Sequence, residues 1–277
     1  MSDNVTQNAE ETQSYNPVLS NKEMSQAISA LGIRKANTKI WQLFLLGLLA
    51  GVYIGIGTHL FLVAIQSGAG PIVGGAVFGV GLVFVVVAGA ELFTGNLIMV
   101  VGTLTRQFSV ARMLLNWIAV YLGNMAGAFL LVALICASGL MFRNGVTTPL
   151  GQLAGNIATA KIELTFTEAF VRGILCNILV LLAILMATMS KDVISKIVCC
   201  ILPVMAFVAS GFEHCIANMY LIPAGLLASG MEWTELGVMF QNIIPVTLGN
   251  IVGGAAILLL HPNRIRQLMV LMRGKKA

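Results

Sequence analysis

The sequence predicts an all-α integral membrane protein with six transmembrane helices, built as an inverted repeat whose second and fifth helices are broken. Of its 277 residues, 58% are hydrophobic and only 10% are charged. Its apolar runs are longer than the core of a soluble protein requires. Two short motifs also recur at nearly the same spacing, and one of them carries polar residues into the middle of an apolar run.

The six spans follow from the apolar runs. A helix that crosses a bilayer needs about 20 apolar residues. Residues 41–90 contain no Asp, Glu, Lys or Arg, so this interval is long enough for two helices. The other predicted spans are 113–139, 166–189, 197–230 with a polar interruption, and 241–260.

Lysine and arginine determine the predicted orientation, because they concentrate in cytoplasmic loops. They cluster before the first span, after the second and fourth spans and at the end of the chain, whereas the opposite side has only Arg143 and Lys161. We therefore expect a multi-pass protein of the cell membrane with both termini in the cytoplasm. The net charge of +5 then reflects topology and not nucleic-acid binding.

The chain is predicted to have three parts. Residues 1–38 form a cytoplasmic tail, residues 39–262 a membrane channel domain with halves at about 39–140 and 160–262, and residues 263–277 a basic cytoplasmic tail. Within the first tail, Met24, Ile28 and Leu31 have helical spacing and predict a short amphipathic helix. A surface anchor is its expected role, and gating of the pore is the alternative.

The internal repeat consists of two motif pairs. "GAELFTGN" at 89–96 and "GFEHCIAN" at 211–218 share the pattern G-x-E-x-x-x-x-N and lie 122 residues apart. "LGNMAGA" at 122–128 and "LGNIVGG" at 248–254 lie 126 residues apart. Three spans in each half place the second half upside down relative to the first, which is the arrangement of many transporters and channels.

The first motif interrupts the middle span of each half. Unwound backbone in a membrane persists only where protein buries it or water reaches it, so the two breaks predict a pore or a site at the midplane. Gly89, Gly95 and Gly211 are expected to supply backbone freedom. Glu91 and Glu213 are expected to have a structural role, accepting hydrogen bonds from the opposite break.

His214 is expected to have a functional role, because it lies beside the second break and its neutral ring can both donate and accept a hydrogen bond. His59 and His261 have no polar neighbours at matched spacing and are interpreted as core residues. No second His or Cys stands at metal-binding spacing from His214, and the five cysteines lie in apolar spans as small hydrophobic residues. The sequence therefore predicts neither a metal nor a cofactor.

The segments "AGAELFTGN", "GILCNILVLLA", "FVASGFEHCIANM" and "PVTLGNIVGG" together resemble the formate–nitrite transporter family over all six spans. The resemblance implies an aquaporin-like fold, a homopentamer with one pore per protomer, and transport of formate, nitrite or hydrosulfide. It also implies residue roles. Leu92 and Phe207, with Phe78 beside them, resemble the apolar constrictions. The pore histidine is His214, its polar frame is Thr94, Asn177, Asn218 and Asn250, and the basic residue before the fourth span is Lys161.

The expected function is a channel for small monovalent anions of weak acids, linked to protons through His214. An apolar constriction excludes a bare anion unless its charge is offset or removed, and formate, nitrite and hydrosulfide can all be protonated. Formate is the favoured substrate. The other two anions stay open, because the second span reads "ELFTG" where formate channels of the family read "DLFTS".

Other interpretations agree less well with the residues. An aquaporin-like channel for neutral solutes would carry Asn-Pro-Ala at its half-helices, and this chain does not. An enzyme using Glu213 and His214 would lack a matched nucleophile, and adjacent helical residues point about 100° apart.

Two further expectations concern contacts between side chains and between helices. Arg172 is expected to pair with Glu168 four residues earlier, with anion attraction as the alternative. The small residues around Gly123 and Gly249 are expected to permit close packing in the pentamer.

Overall fold

The computed structural model describes residues 18–260. The start of the predicted amino-terminal tail, the predicted carboxyl-terminal tail and His261 lie outside the described residues. Within that range the chain forms α-helices, one 3-10 helix at Trp233–Met239 and a hairpin of β1 (Phe142–Arg143) and β2 (Val146–Thr147). The helices are α1 (Asn21–Asn37), α2 (Ile40–Gln66), α3 (Gly70–Ala88), α4 (Phe93–Asn96), α5 (Met99–Leu104), α6 (Val110–Ala137), α7 (Pro149–Ile162), α8 (Phe166–Met189), α9 (Val193–Ala209), α10 (Cys215–Ala228) and α11 (Phe240–Leu260).

The transmembrane helices follow the predicted pattern. Among the described residues, α2, α3, α6, α8 and the stretch Trp233–Leu260 are long and apolar enough to cross a bilayer. The fifth predicted span consists of two shorter apolar helices, α9 and α10, and the second continues beyond α3 into α4 and α5. The prediction of an all-α membrane fold with broken second and fifth spans is therefore confirmed.

The repeat extends further than its two motifs indicated. Helices α2, α3, α4 and α6 correspond to α8, α9, α10 and α11, and α1 corresponds to α7, a helix that the sequence analysis did not assign. Its start is encoded locally, because the Thr148 side chain accepts a hydrogen bond from the Gly151 N–H and Pro149 occupies the first turn. Lys35 in α1 and Lys161 in α7 lie 126 residues apart, at the second repeat offset.

Helix α1 packs against the membrane domain. Its start is stabilised by a capping box between Ser20 and Glu23, and the Leu19 N–H donates to the Met189 carbonyl at the end of α8. Met24 and Ile28 are buried in an apolar cluster with residues of α4–α5 and α8, including Leu97 and Leu181. The apolar face of α1 is thus covered by the protein itself, so it is not available to anchor the chain on a membrane surface.

The spacing of small residues that recurs in the two halves serves packing within one chain. In the first half, Gly123 and Gly127 of α6 lie directly against the α2 backbone, at Phe44 and Leu48. In the second half, Gly249 and Gly253 of α11 lie against the α8 backbone, at Phe170 and Ile174. A Cβ atom on any of these glycines would overlap a carbonyl oxygen. The close helix packing expected of these faces is thus present, and it joins helices of one chain.

Candidate functional site

Two cavities approach the two breaks from separate directions. The first has a volume of about 620 Å³ and is lined by α1, α3, the first break, α8 and α9; we call it the α1-side cavity. The second has a volume of about 400 Å³ and is lined by α2, α3, α7, α8, α9, the second break and α10; we call it the α7-side cavity. They share no lining residue, and buried side chains lie between them.

Glycines with positive φ begin both breaks. Gly89 caps the end of α3 with φ of 84°, and Gly211 follows α9 with φ of 72°. Residues with a Cβ rarely adopt this conformation, which explains the glycine at the first position of both motifs. Gly95 differs, because it lies inside α4 without positive φ. Its predicted role in supplying backbone freedom was wrong.

An asparagine satisfies the backbone of each break. The Asn124 side chain accepts from the Phe93 N–H at 2.9 Å and donates to the carbonyls of Gly47 and Glu91 at 2.8 and 2.9 Å. Unpaired backbone groups in an apolar environment are costly, so this one amide satisfies two groups of the break and ties them to α2 through the Gly47 carbonyl.

Asn250 makes the equivalent bonds in the second half. It accepts from the Cys215 N–H at 3.0 Å and donates to the carbonyls of Gly173 and Glu213 at 2.8 and 3.0 Å. Both asparagines belong to the L-G-N motifs, which explains why this motif recurs.

The glutamates of the breaks bind lysines of their own half, so their expected partners in the opposite break were wrong. Glu91 Oε2 lies 2.7 Å from Lys35 Nζ and accepts from Asn96 Nδ2 at 2.7 Å. Asn96 also donates to Asn116 Oδ1, whose amide nitrogen donates to the Lys35 carbonyl at 3.1 Å. Burial lowers the pKa of the Lys35 ammonium, and the Glu91 carboxylate opposes this shift.

The second half repeats this cluster. Lys161 Nζ lies 2.6 Å from Glu213 Oε1, and Asn218 Nδ2 donates to Glu213 Oε2 at 2.6 Å. Asn218 also donates to Asn242 Oδ1, and Asn242 donates to the Lys161 carbonyl at 2.9 Å. Each of these four residues has a counterpart in the first cluster. The charges therefore compensate each other locally and hold α1 and α7 onto the breaks.

His214 begins α10 and lies between the two halves. Its Nδ1 accepts from the Ala217 N–H at 3.2 Å, and its Nε2 lies 3.0 Å from Thr94 Oγ1. Its ring stacks on Phe207 with centroids 5.9 Å apart, and only 3% of the residue is exposed. Because the backbone N–H is a donor, Nδ1 of the neutral ring must be the acceptor, so the ring proton lies on Nε2 and is directed to Thr94.

The pseudosymmetry of the scaffold ends at this contact. At the offset of 122 residues that relates the two glutamates, Leu92 takes the place of His214 and Ile216 takes the place of Thr94. Each break therefore contributes one apolar and one polar side chain. The two polar ones meet across the halves, 120 residues apart in the chain.

Large apolar side chains lie on both sides of the Thr94–His214 contact. Leu92 lines the α1-side cavity and is 2% exposed. Phe78 and Phe207 line the α7-side cavity and pack edge to face with centroids 5.8 Å apart. Of the three predicted constriction residues, Leu92 thus lines one cavity and the two phenylalanines line the other, with Phe207 stacked on the His214 ring.

The asparagines of the predicted polar frame lie near His214 without binding its ring. Asn177 donates to the carbonyls of Asn250 and Thr94 at 2.8 and 3.4 Å, and so joins α8 to α11 and to the first break. Its Oδ1 is the one buried side-chain polar atom among residues 18–260 that lacks a hydrogen-bond partner. Asn218 and Asn250 bind the second break, as described above. Of the predicted frame, Thr94 alone hydrogen-bonds the imidazole in this structure.

Two further expectations can be compared with the structure. The Glu168–Arg172 ion pair was wrong: Glu168 accepts from the Thr165 N–H and hydroxyl, and ion pairs in the described part of the chain involve only the two lysine–glutamate pairs. Arg172 lines the α7-side cavity instead. His59 is a satisfied, half-buried residue as predicted, with Nδ1 2.9 Å from the Tyr220 hydroxyl.

Several polar residues of the site were not predicted from the sequence. These residues are Lys35, Asn96, Asn116, Asn124 and Asn242. The two repeat offsets could have identified them, since Lys35, Asn116 and Asn124 lie 126 residues before Lys161, Asn242 and Asn250. Asn96 was already part of the first motif.

Comparisons with known proteins agree with this architecture. The family model for the formate/nitrite transporter matches residues 22–262. The formate channel FocA of Haemophilus influenzae is 38% identical over 244 residues, covering 80% of this chain and 85% of the relative. A probable formate transporter of Methanothermobacter thermautotrophicus is 39% identical over 254 residues, covering 84% and 92%.

Solved structures show the same similarity. A pentameric formate channel with formate bound matches with a TM-score of 0.67 and 33% identity, covering 84% of this chain and 98% of that structure. An ion channel of the FNT family matches with a TM-score of 0.76 and 29% identity, covering 84% and 95%. These relatives are channels and transporters and not enzymes. Because the family model matches residues 22–262 and the relatives are similar over most of their length, the chain belongs to the formate/nitrite transporter family.

Proposed function

We propose that this protein conducts small monovalent anions of weak acids, with formate as its substrate, and that His214 links transport to protons. The observation that carries the proposal is the buried Thr94–His214 hydrogen bond of 3.0 Å between two separate cavities. The names of the relatives support formate, since they include formate channels and a channel with formate bound.

The apolar side chains around His214 set the barrier in this proposal. Moving a bare monovalent anion into an apolar environment costs tens of kcal/mol in the Born limit. Leu92 on one side and Phe78 and Phe207 on the other therefore stop an anion unless its charge is compensated. Lys161 and Arg172 line the α7-side cavity, and Arg172, which pairs with no carboxylate among the described residues, supplies the net positive charge that draws the anion in. Asn177, Asn218 and Asn250 keep the breaks in position around His214.

His214 compensates the charge in two stages. The neutral ring first donates its Nε2–H to the anion in place of Thr94. For proton transfer, the ring must gain a second proton at Nδ1, where it now accepts from the Ala217 N–H. This second proton comes from solvent in the α7-side cavity, which His214 lines. The imidazolium then gives its Nε2 proton to formate, so that formic acid forms and the ring is left neutral with its proton on Nδ1. Nε2 afterwards takes up a proton from solvent and Nδ1 releases one, which restores the starting ring, so the net reaction is that of one proton with one formate. Transport thus requires that the cap of α10 opens and closes in each cycle.

Flux measurements test the substrate. We expect proteoliposomes containing the protein to take up formate at least tenfold faster than chloride, because chloride can gain the hydrogen bond but not the proton. Water and glycerol should cross no faster than in empty vesicles. Faster flux of nitrite or hydrosulfide than of formate would assign the channel to one of these two anions. Glycerol permeation without anion flux would contradict the proposed class of substrate.

We also propose that the protein is a homopentamer with both termini in the cytoplasm. Exposed apolar side chains on α6, such as Leu114, Ile118 and Leu122, lie outside the tight α2–α6 contact and leave area for lipid or for neighbouring protomers. The solved relative described as pentameric supports the number of subunits.

Native mass spectrometry in mild detergent tests the assembly. We expect a mass of five chains, and a stable monomer would contradict the pentamer. Cysteine labels placed at the two ends of the chain and probed from outside intact cells test the topology. We expect both labels to be protected until the membrane is permeabilised.

A further inference from the structure

The α1-side cavity carries more positive charge than its ion pair explains. The charged side chains that line it are Arg34, Lys35, Glu91 and Lys196. Lys35 and Glu91 neutralise each other at 2.7 Å, and both side chains are at most 10% exposed. Two cations, Arg34 and Lys196, are left over. The α7-side cavity, by contrast, has one such cation, Arg172, beside the Lys161–Glu213 pair.

The two surplus cations come from separate elements. Arg34 projects from the last turn of α1 and is exposed, whereas Lys196 lies in the first turn of α9 and is half-buried. Neither forms an ion pair with any residue that the structure describes. A guanidinium and an ammonium on two elements around one cavity can bind the same ligand, the first through paired N–H donors and the second as a point charge.

We propose that the α1-side cavity binds a divalent oxyanion such as phosphate or sulfate, held by Arg34 and Lys196, and that the bound anion blocks transport. Two cations that pair with none of residues 18–260 match the charge of a dianion, whereas formate requires only one. The cavity volume of about 620 Å³ easily holds such an ion. Its inner end includes Leu92, which is buried and apolar, and desolvation of a dianion is costlier than that of a monoanion. The dianion therefore binds without crossing.

A transport assay and a binding assay test this inference. Formate flux is measured in phosphatidylcholine proteoliposomes with phosphate or sulfate on one side or on both, at ionic strength matched with chloride. Because the vesicles contain the protein in both orientations, an anion on one side reaches the α1-side cavity of only some molecules. We therefore expect partial inhibition of formate flux from one side and full inhibition when the anion is present on both sides. This assay rests on the proposed channel function. Binding of labelled phosphate to the detergent-solubilised protein does not, so failure of the two proposals can be distinguished.

Two variants and a control give the expected magnitudes. Arg34→Gln and Lys196→Gln should each raise the phosphate concentration for half-inhibition and for half-saturation by about tenfold, since each removes one of the two positive charges that face the anion. Lys191→Gln removes an exposed lysine that does not line the cavity, and it should leave both values unchanged.

Three outcomes would overturn the inference. The first is equal flux in phosphate and in chloride together with no saturable phosphate binding. The second is inhibition that is the same in the Arg34, Lys196 and Lys191 variants, which would indicate general screening. The third is a block that requires phosphatidylglycerol in the vesicles, which would assign the cations to a lipid headgroup and not to a soluble anion.

Discussion

Replacing Lys161 with methionine is expected to lower the stability of the folded protein by about 3–5 kcal/mol, the range found when one member of a buried ion pair is removed. Glu213 is 3% exposed, and its carboxylate would keep only the amide donors of Asn218 and Asn242. Glu213→Gln should destabilise less, because the Lys161 side chain is 17% exposed and borders a cavity that water can enter.

A double-mutant cycle separates the pair from its surroundings. Thermal unfolding in detergent is measured for both single variants and for Lys161→Met with Glu213→Gln. We expect the double variant to lose less stability than the two single losses together, because no charge is left buried without a partner. The matched control is the same cycle on Lys35 and Glu91, which have the equivalent geometry in the first half. Single variants that melt like the unchanged protein would show that the pair does not hold the break.

His214→Asn is expected to convert the protein into an anion leak that no longer responds to pH. The asparagine amide can still donate a hydrogen bond to the anion, and asparagine is a favoured residue at a helix start, so it can take over the cap of α10. It cannot become a cation. In the unchanged protein, formate flux should rise as the pH falls, because the imidazolium becomes more populated. In the variant this dependence should be lost.

His214→Phe is the companion variant. A phenyl ring can keep the stacking on Phe207, but it leaves the Ala217 N–H uncapped, which costs about 1 kcal/mol. We expect a folded protein in which pH coupling of formate flux is abolished. Thr94→Val is the control, since it removes the partner of Nε2 while leaving the titrating ring in place, and its flux should still depend on pH.

Fluxes of formate, nitrite and hydrosulfide are compared in liposomes across pH, with chloride as the anion that cannot be protonated. A near-normal pH profile in His214→Asn would reject proton transfer and leave hydrogen bonding as the role of His214. Unchanged flux and an unchanged profile in both His214 variants would remove this residue from the mechanism.

The sequence alone determined the spans, the two breaks and the order of the halves. The length of an apolar run is a local property, and lipid offers no partner for unwound backbone, so a span and its interruption are both visible in the chain. Recurrence of G-x-E-x-x-x-x-N and L-G-N identified the repeat. Helix α7 was not predicted because its 14 residues are shorter and less apolar than a membrane span, although Thr148 and Pro149 mark its start.

Only the tertiary structure decided which groups satisfy the breaks. Glu91 and Glu213 were expected to bind across the halves, yet they bind Lys35 and Lys161 of their own half. Asn116 reaches a carbonyl 81 residues away, and no spacing rule for a single helix or strand predicts such a contact. Small residues could likewise pack within the chain or between chains. The backbone contacts of α6 with α2 decided for the former.

At the centre of the site, the sequence likewise identified the important residue, and the tertiary structure determined its contacts. His214 stood out in the sequence because an ionisable residue in an apolar span is costly and needs a reason. Its tautomer could not be inferred there, since this depends on two contacts: the Ala217 N–H three residues ahead and the Thr94 hydroxyl 120 residues away. The repeat in the sequence predicts a symmetric scaffold. Thr94 and His214, which have apolar counterparts in the opposite half, meet at the centre of that scaffold only when folding brings the two breaks together.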